Sequence, residues 1–167
     1  MAKAPKSKSA GKRKIFEPFN YSPDEIPHIR YMVSVDMSAV IRIDRQCFGV
    51  DSWVEKDFND ALRSRYVIAL VATCKDHIVG YMIYELSKNQ IIILRLCVLP
   101  EHQRKKVGTQ LLDRLKKKLS IQGRKQLVVD VPDFLLPLQN FLKKSGFRAT
   151  DILKKSGNEY YRMLYIK

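Results

Sequence analysis

With 167 residues and a formal net charge of +14, the chain has the size of one domain with a real core, and its charge implies affinity for polyanions such as nucleic acid, ribosomes or phosphorylated ligands. No run approaches the roughly 18 apolar residues of a membrane span, and the N-terminus lacks the apolar core of a secretory signal, so a cytoplasmic location is expected. Three scattered cysteines, Cys47, Cys74 and Cys97, read as buried free thiols, and with three histidines at no ligand spacing and no Gly-x-Ser-x-Gly or His-Glu-x-x-His pattern, metal and hydrolase chemistry recede.

The chain opens on "MAKAPKSKSAGKRK", six Lys or Arg without an acid, in the company of Ser, Ala, Gly and Pro. That is the composition of a disordered basic arm. It serves either as an electrostatic tether to RNA or ribosomes or as a solvated tail with no defined partner. With the proline-containing stretch that follows, the arm spans residues 1–27 and the folded domain residues 28–167. A short strand is expected over residues 28–35, then a helix from the N-cap residue Asp36 to residue 47. The turn "FGVDSW" leads to a second helix over residues 54–64, whose early Glu55 and Asp57 suit the helix dipole. The β-branched and aromatic runs "RYVIALVATC", "HIVGYMIYEL" and "QIIILRLCVL", separated by "KDH" and "SKN", predict an antiparallel meander.

Next comes "LPEHQRKKVGTQLL", a cation-rich turn between that last apolar strand and a helix carrying Val107, Leu111, Leu112, Leu115 and Leu119 at helical spacing. The first amides of a helix lack intrahelical partners and the peptide dipoles place partial positive charge there, so the turn is an anion site, for phosphate above all. "KQLVVDV" predicts a further strand, "FLLPLQNFLKKSGF" a helix ending at Gly146, and "FRATDILKK" and "EYYRMLYIK" two final strands. A β–α–β crossover from residue 90 to residue 131 should be parallel. The fold class expected is α/β (α+β), a central mixed, mostly antiparallel sheet with helices on both faces.

This order of elements, with an anion-binding turn after the fourth strand, resembles the GNAT superfamily of N-acetyltransferases, and within it the RimI-type ribosomal-protein-alanine enzymes. The family signature of Gln or Arg, two residues, Gly, one residue and Gly or Ala is matched by "QRKKVG", with Lys106 standing where the first Gly is expected. "RIDRQCFGVDSWVEKDF" is similar to the family's first two helices, with Phe48, Trp53 and Phe58 at familiar places, and "FLKKSGFRA" to a later block. The resemblance covers about 135 residues from His28 onward and leaves out the arm.

It implies acetyl-CoA as cosubstrate and an amine as acceptor: a protein or peptide N-terminus, a ribosomal protein being favoured. Leu96, Cys97 and Val98 would pair through their backbone with the pantetheine arm, as an added strand does. Gln103, Arg104, Lys105, Lys106, Val107, Gly108 and Thr109 would hold the phosphates, by amides and by charge. If Lys106 must be left-handed, the cost is roughly 1–2 kcal/mol, which a cation beside a pyrophosphate could offset. The family's base is a strand Glu, matched by Asp130, with Asp133 nearby and a purely structural role for Asp130 as the other reading. The family's proton-donating Tyr falls on Leu142 and its Asn on Leu135, so Tyr160, Tyr161, water or an unassisted thiolate must serve. Strand alternation turns only one of the two tyrosines to a given face. The alternatives are an acetyltransferase for lysine or small-molecule amines, and a non-catalytic relative that binds CoA or RNA.

Overall fold

A computed structural model describes residues 25–121 and 123–167; the basic stretch and the rest of the expected arm up to residue 24 lie outside them. The meander is found nearly as its apolar runs foretell. β1 (His28–Tyr31) precedes α1 (Met37–Phe48) and α2 (Glu55–Leu62), followed by β2 (Val67–Cys74), β3 (His77–Leu86) and β4 (Gln90–Val98). α3 (Val107–Ile121), β5 (Gln126–Pro132), α4 (Leu136–Lys144), β6 (Arg148–Lys155) and β7 (Asn158–Ile166) complete the chain. These strands form one seven-stranded sheet in the order β1-β2-β3-β4-β5-β7-β6. Only β4 and β5 run parallel, because α3 carries the chain back across the sheet between them.

Both faces of the central strands are apolar, so both must be covered. On one face β2 presents Leu70, Ala72 and Cys74, and these pack with β5's Leu127, Val129 and Val131 beneath Val107, Leu111, Leu115 and Leu119 of α3. On the other, Ala69 and Val71 meet Tyr81, Ile83 and Cys97 beneath Val40 and Ile43 of α1 and Phe58 of α2. A mixed sheet with helices on both faces is therefore the architecture. The helix starts are capped in a way the sequence half discloses. Asp36 precedes α1, but its carboxylate accepts from the Val33 amide at 2.9 Å and from Arg30 at 2.7 and 2.9 Å, closing the short 3-10 turn ahead of the helix. Asp57 likewise accepts from the Val54 amide at 2.9 Å at the head of α2.

A β-bulge in β4 governs its aim. Ile83 pairs with Arg95 and Tyr84 with Ile93, which leaves Leu94 as the extra residue. Before the bulge Ile91 and Ile93 face α3, and after it Leu96 does again, whereas Arg95 and Cys97 face α1.

The expectation of three buried free thiols is corrected. Cys47 and Cys97 form a disulfide between α1 and β4, with Cα atoms 6.3 Å apart, and Cys74 is buried outside that bond. The two are 50 residues apart in sequence, and only the packing of α1 on β4 brings them together. Among the described residues, no helix is long and apolar enough to cross a membrane.

Candidate active site

β4 and β5 pair from Gln90 with Gln126 to Ile93 with Val129 and then part. Each continues with its outer neighbour: β4 with β3 as far as Gly80 opposite Val98, and β5 with β7 as far as Pro132 opposite Tyr160. Along Leu96, Cys97 and Val98 the β5 side of β4 therefore faces a fork rather than a partner strand, and an extended ligand can lie along it. Gly80 shapes this arm of the fork, since a Cβ at that position would lie 2.9 Å from the Cys97 carbonyl oxygen.

Beyond Val98 the chain makes a 3-10 turn over Pro100–His102 and enters α3. Arg104 and Lys106 both stand in the left-handed region, at φ of +62° and +63°. Left-handed residues in such a turn help to aim successive amides at a common point, a concavity suited to an anion. The α3 ladder opens with the Gln110 amide on the Lys106 carbonyl at 2.9 Å, so the amides of Val107, Gly108 and Thr109 lie at the open helix end. Gln103 turns its side chain back to the Val98 carbonyl at 3.1 Å. Gly108 serves packing as well, because a Cβ there would meet the Phe141 ring of α4 at 3.0 Å. Arg104 and Lys106 are exposed and Lys105 is half-buried.

The remaining predicted residues divide by face. Asp130, the first β5 residue past the fork, pairs in register with Arg162 of β7. Arg162 grips its carboxylate from the side, Nε and Nη2 at 2.9 and 3.0 Å, and Lys155 of β6 adds a bond at 2.7 Å. Burial alone would raise the Asp130 pKa, but these hydrogen bonds and charges outweigh it and hold the carboxyl below its usual range. Tyr160 shares this face, its ring 5.5 Å from the Lys155 ammonium. Tyr161 points to the opposite face and packs against the α3 cluster. Leu142 is fully buried in that same cluster, and Leu135 packs at its margin. Asp133 is exposed in the turn before α4, its amide held by the Glu159 carbonyl at 3.1 Å.

Sequence reasoning did not assemble the group that walls the fork on the α1 side. Asp44, fully buried in α1, accepts from Arg95 of β4 at 2.8 Å, from the Tyr81 hydroxyl, and from the Trp53 amide. The Arg95 guanidinium lies 3.7 Å over the Phe48 ring and 5.0 Å from that of Trp53, and reaches the Asp51 carbonyl at 3.1 Å. The whole connection from α1 to α2 is thereby fastened to β4. Burial, reinforced by Asp44, pushes the Tyr81 hydroxyl far above its ordinary value, so it stays a neutral donor. A signal existed in the lone charge of "IIILRLCVL", and in Asp44 lying on the Val40, Ile43, Cys47 stripe of its helix.

The model of the acetyltransferase (GNAT) domain family matches residues 20–164. The chain belongs to the GNAT acetyltransferases. No protein of curated function matches it by sequence. Among solved structures, this GNAT chain is similar to the ribosomal-protein-S18-alanine N-acetyltransferase of Escherichia coli, at 18% identity and a TM-score of 0.74, over 84% of this chain and 94% of that one. Ard1 of Thermoplasma volcanium is similar at 23% identity and a TM-score of 0.75, over 84% and 97%. Arabidopsis thaliana NAA60, solved with a bisubstrate analogue, is similar at 16% identity and a TM-score of 0.71, over 84% and 98%. As a GNAT enzyme the chain is an acetyltransferase with acetyl-CoA as cosubstrate. The residues present suit that molecule: a fork with unpaired strand edges for an extended arm, and a helix end behind two left-handed cations for phosphates.

Proposed function

We propose that the chain acetylates the N-terminal α-amino group of a protein, in the manner of the RimI-type enzymes, by direct attack of the amine on the thioester. The observation that carries the reading is the double engagement of Asp130 by Arg162 and Lys155. A carboxylate held low is a weak base, and a second cation beside it disfavours a protonated amine. An α-amino group with pKa near 7.7–8.0 is about one-tenth neutral at pH 7, whereas a lysine amine near 10.4 is neutral only about 0.04% of the time. The site therefore suits an acceptor that arrives neutral, and Asp130 orients it by accepting its hydrogen bond. Asp133, exposed in the turn, takes no part.

The backbone of Leu96, Cys97 and Val98 holds the pantetheine arm, and one of its amides faces the thioester oxygen. The amides of residues 103–109, with the charges of Arg104, Lys105 and Lys106, hold the phosphates. Bound acetyl-CoA supplies the acetyl thioester, whose thiolate, with a pKa near 8.5, is already a fair leaving group. As the C–N bond forms and the C–S bond breaks, Tyr160, on the Asp130 face, gives the thiolate its proton, and the proton lost by the acylated nitrogen restores the tyrosine by way of water; Tyr161 is a packing residue. Cys97 forms no acyl-enzyme, its sulfur being engaged by Cys47. The acceptor is sought first among ribosomal proteins in the cytoplasm, with residues 1–27 as a basic tether to RNA or the ribosome.

Free-thiol release from acetyl-CoA tests this, using peptides beginning in Ala or Ser beside N-acetylated peptides that offer only lysine. Turnover on the free N-termini is expected. Preference for lysine overturns the acceptor, and thermal stabilisation by acetyl-CoA without turnover on any amine identifies a non-catalytic relative.

A further inference from the structure

α1 and α2 cover β2, β3 and β4 on their face of the sheet, but among the described residues no helix covers the same face of β5, β7 and β6. An acceptor reaching the fork from the α1 side passes over this half-sheet. What it meets first is Asp130, Arg162, Lys155 and Tyr160. Asp130 there takes hydrogen bonds from both cations, and Asp151 of β6 stands opposite Arg162 without a hydrogen bond to it.

We propose that Arg162, assisted by Lys155, selects acceptor chains that carry a carboxylate side chain at their second or third residue. The inference rests on the N-terminal acceptor reading and names the substrate class of that same site. Asp130 occupies only Nε and Nη2 of Arg162. Nη1 has no hydrogen-bond partner among the described residues, and the side chain is 40% exposed. Lys155, with its side chain 53% exposed, spends one hydrogen bond on Asp130 and retains donors for another oxygen. A tie between β5 and β7 needs neither the second cation nor the outward-facing edge of the guanidinium.

The spacing fits the position named. β7 lies one strand from β5, about 4.8 Å away, and an extended peptide advances about 3.3–3.6 Å per residue. An amine held at the fork by Asp130 thus places the second or third acceptor residue over Arg162. A carboxylate there takes up the donors that Asp130 leaves open on the guanidinium and on Lys155, while a lysine side chain there meets two like charges.

Three peptides that differ only at the second and third residues test the proposal: Ala followed by Asp or Glu, by Gly, or by Lys. In the wild-type protein kcat/KM should favour the acidic over the basic peptide by roughly tenfold, given partly exposed pairs. Arg162→Gln should bring the ratio close to one, and Lys155→Gln, which leaves the Arg162–Asp130 pair in place, should lower it about threefold. Lys117→Gln, on the exposed face of α3, removes the same charge elsewhere and should leave the ratio unchanged. A flat wild-type ratio overturns the proposal, and so does a preference that survives both site substitutions or falls equally with Lys117→Gln. If the Gly-containing peptide is acetylated while the ratio is flat, only the selectivity fails. If no free N-terminus is acetylated at all, the acceptor reading fails and takes the selectivity with it.

Discussion

With φ of +63°, Lys106 stands where a residue bearing Cβ loses about 1–2 kcal/mol. Lys106→Gly should therefore raise stability by about 1 kcal/mol in a urea titration, yet weaken acetyl-CoA several-fold in calorimetry at low salt, because the cation leaves with the strain. The deviation of "QRKKVG" from the family signature was plain in the sequence, and the backbone angle is what gives it meaning. Arg95 presents the reverse case. Its charge was conspicuous in an apolar strand, but its partner Asp44 lies 51 residues earlier, and no local pattern joins them. Arg95→Met should cost about 3–5 kcal/mol by stranding a buried carboxylate, and Asp44→Asn in the same chain should restore part of it, as a double-mutant cycle in urea would read.

Helices and strands were legible because their apolar spacing is local; the bounds of β3 match the run "HIVGYMIYEL" end to end. The last helix was less so. Pro137 fits only a first turn, so α4 begins at Leu136, after the turn that contains Phe134, rather than within it. The insertion of β7 between β5 and β6 had no local signature, and with it went the meeting of Asp130, Arg162 and Lys155. The fork, too, was implied only by resemblance, since divergence of two strands is a matter of pairing and not of composition. Gly80→Ala probes it at the level of the strand. The added methyl must displace β4 at the Cys97 carbonyl, so acetyl-CoA affinity should fall by about tenfold in a thermal-shift titration. Gly123→Ala is the control, for its φ of +67° costs about 1 kcal/mol of backbone strain while nothing lies near the new methyl.

For the molecule as a whole, the Cys47–Cys97 bond closes a loop of 50 residues, which on chain-entropy grounds stabilises by about 4 kcal/mol. Reduction should lower the melting temperature by about 10 °C in a calorimetric scan, with Cys74 slow to alkylate until the chain unfolds. Acid should act in two stages. Burial holds the His102 pKa below its ordinary value against the pull of Glu101, so its stabilisation is present above about pH 6.5 and declines as the pH falls below it. Asp36, held low by Arg30, and Asp130, held low against burial by Arg162 and Lys155, retain theirs until the pH falls through about 4. Melting temperatures between pH 8 and pH 3 should show both declines, and His102→Gln should flatten the upper one. The extra residue at Leu94 bears on how such a molecule can change. A strand counts its side chains in twos, and this one miscounts once, yet every later position keeps its phase with the helices above and below. Another apolar residue at Leu94 leaves the bulge intact; deleting it would let Arg95 follow Ile93 in plain alternation, still toward α1, and straighten the strand without turning over any side chain through Val98. At that position the protein is permissive about number as well as kind, for the extra residue bends the strand and leaves its two faces unchanged.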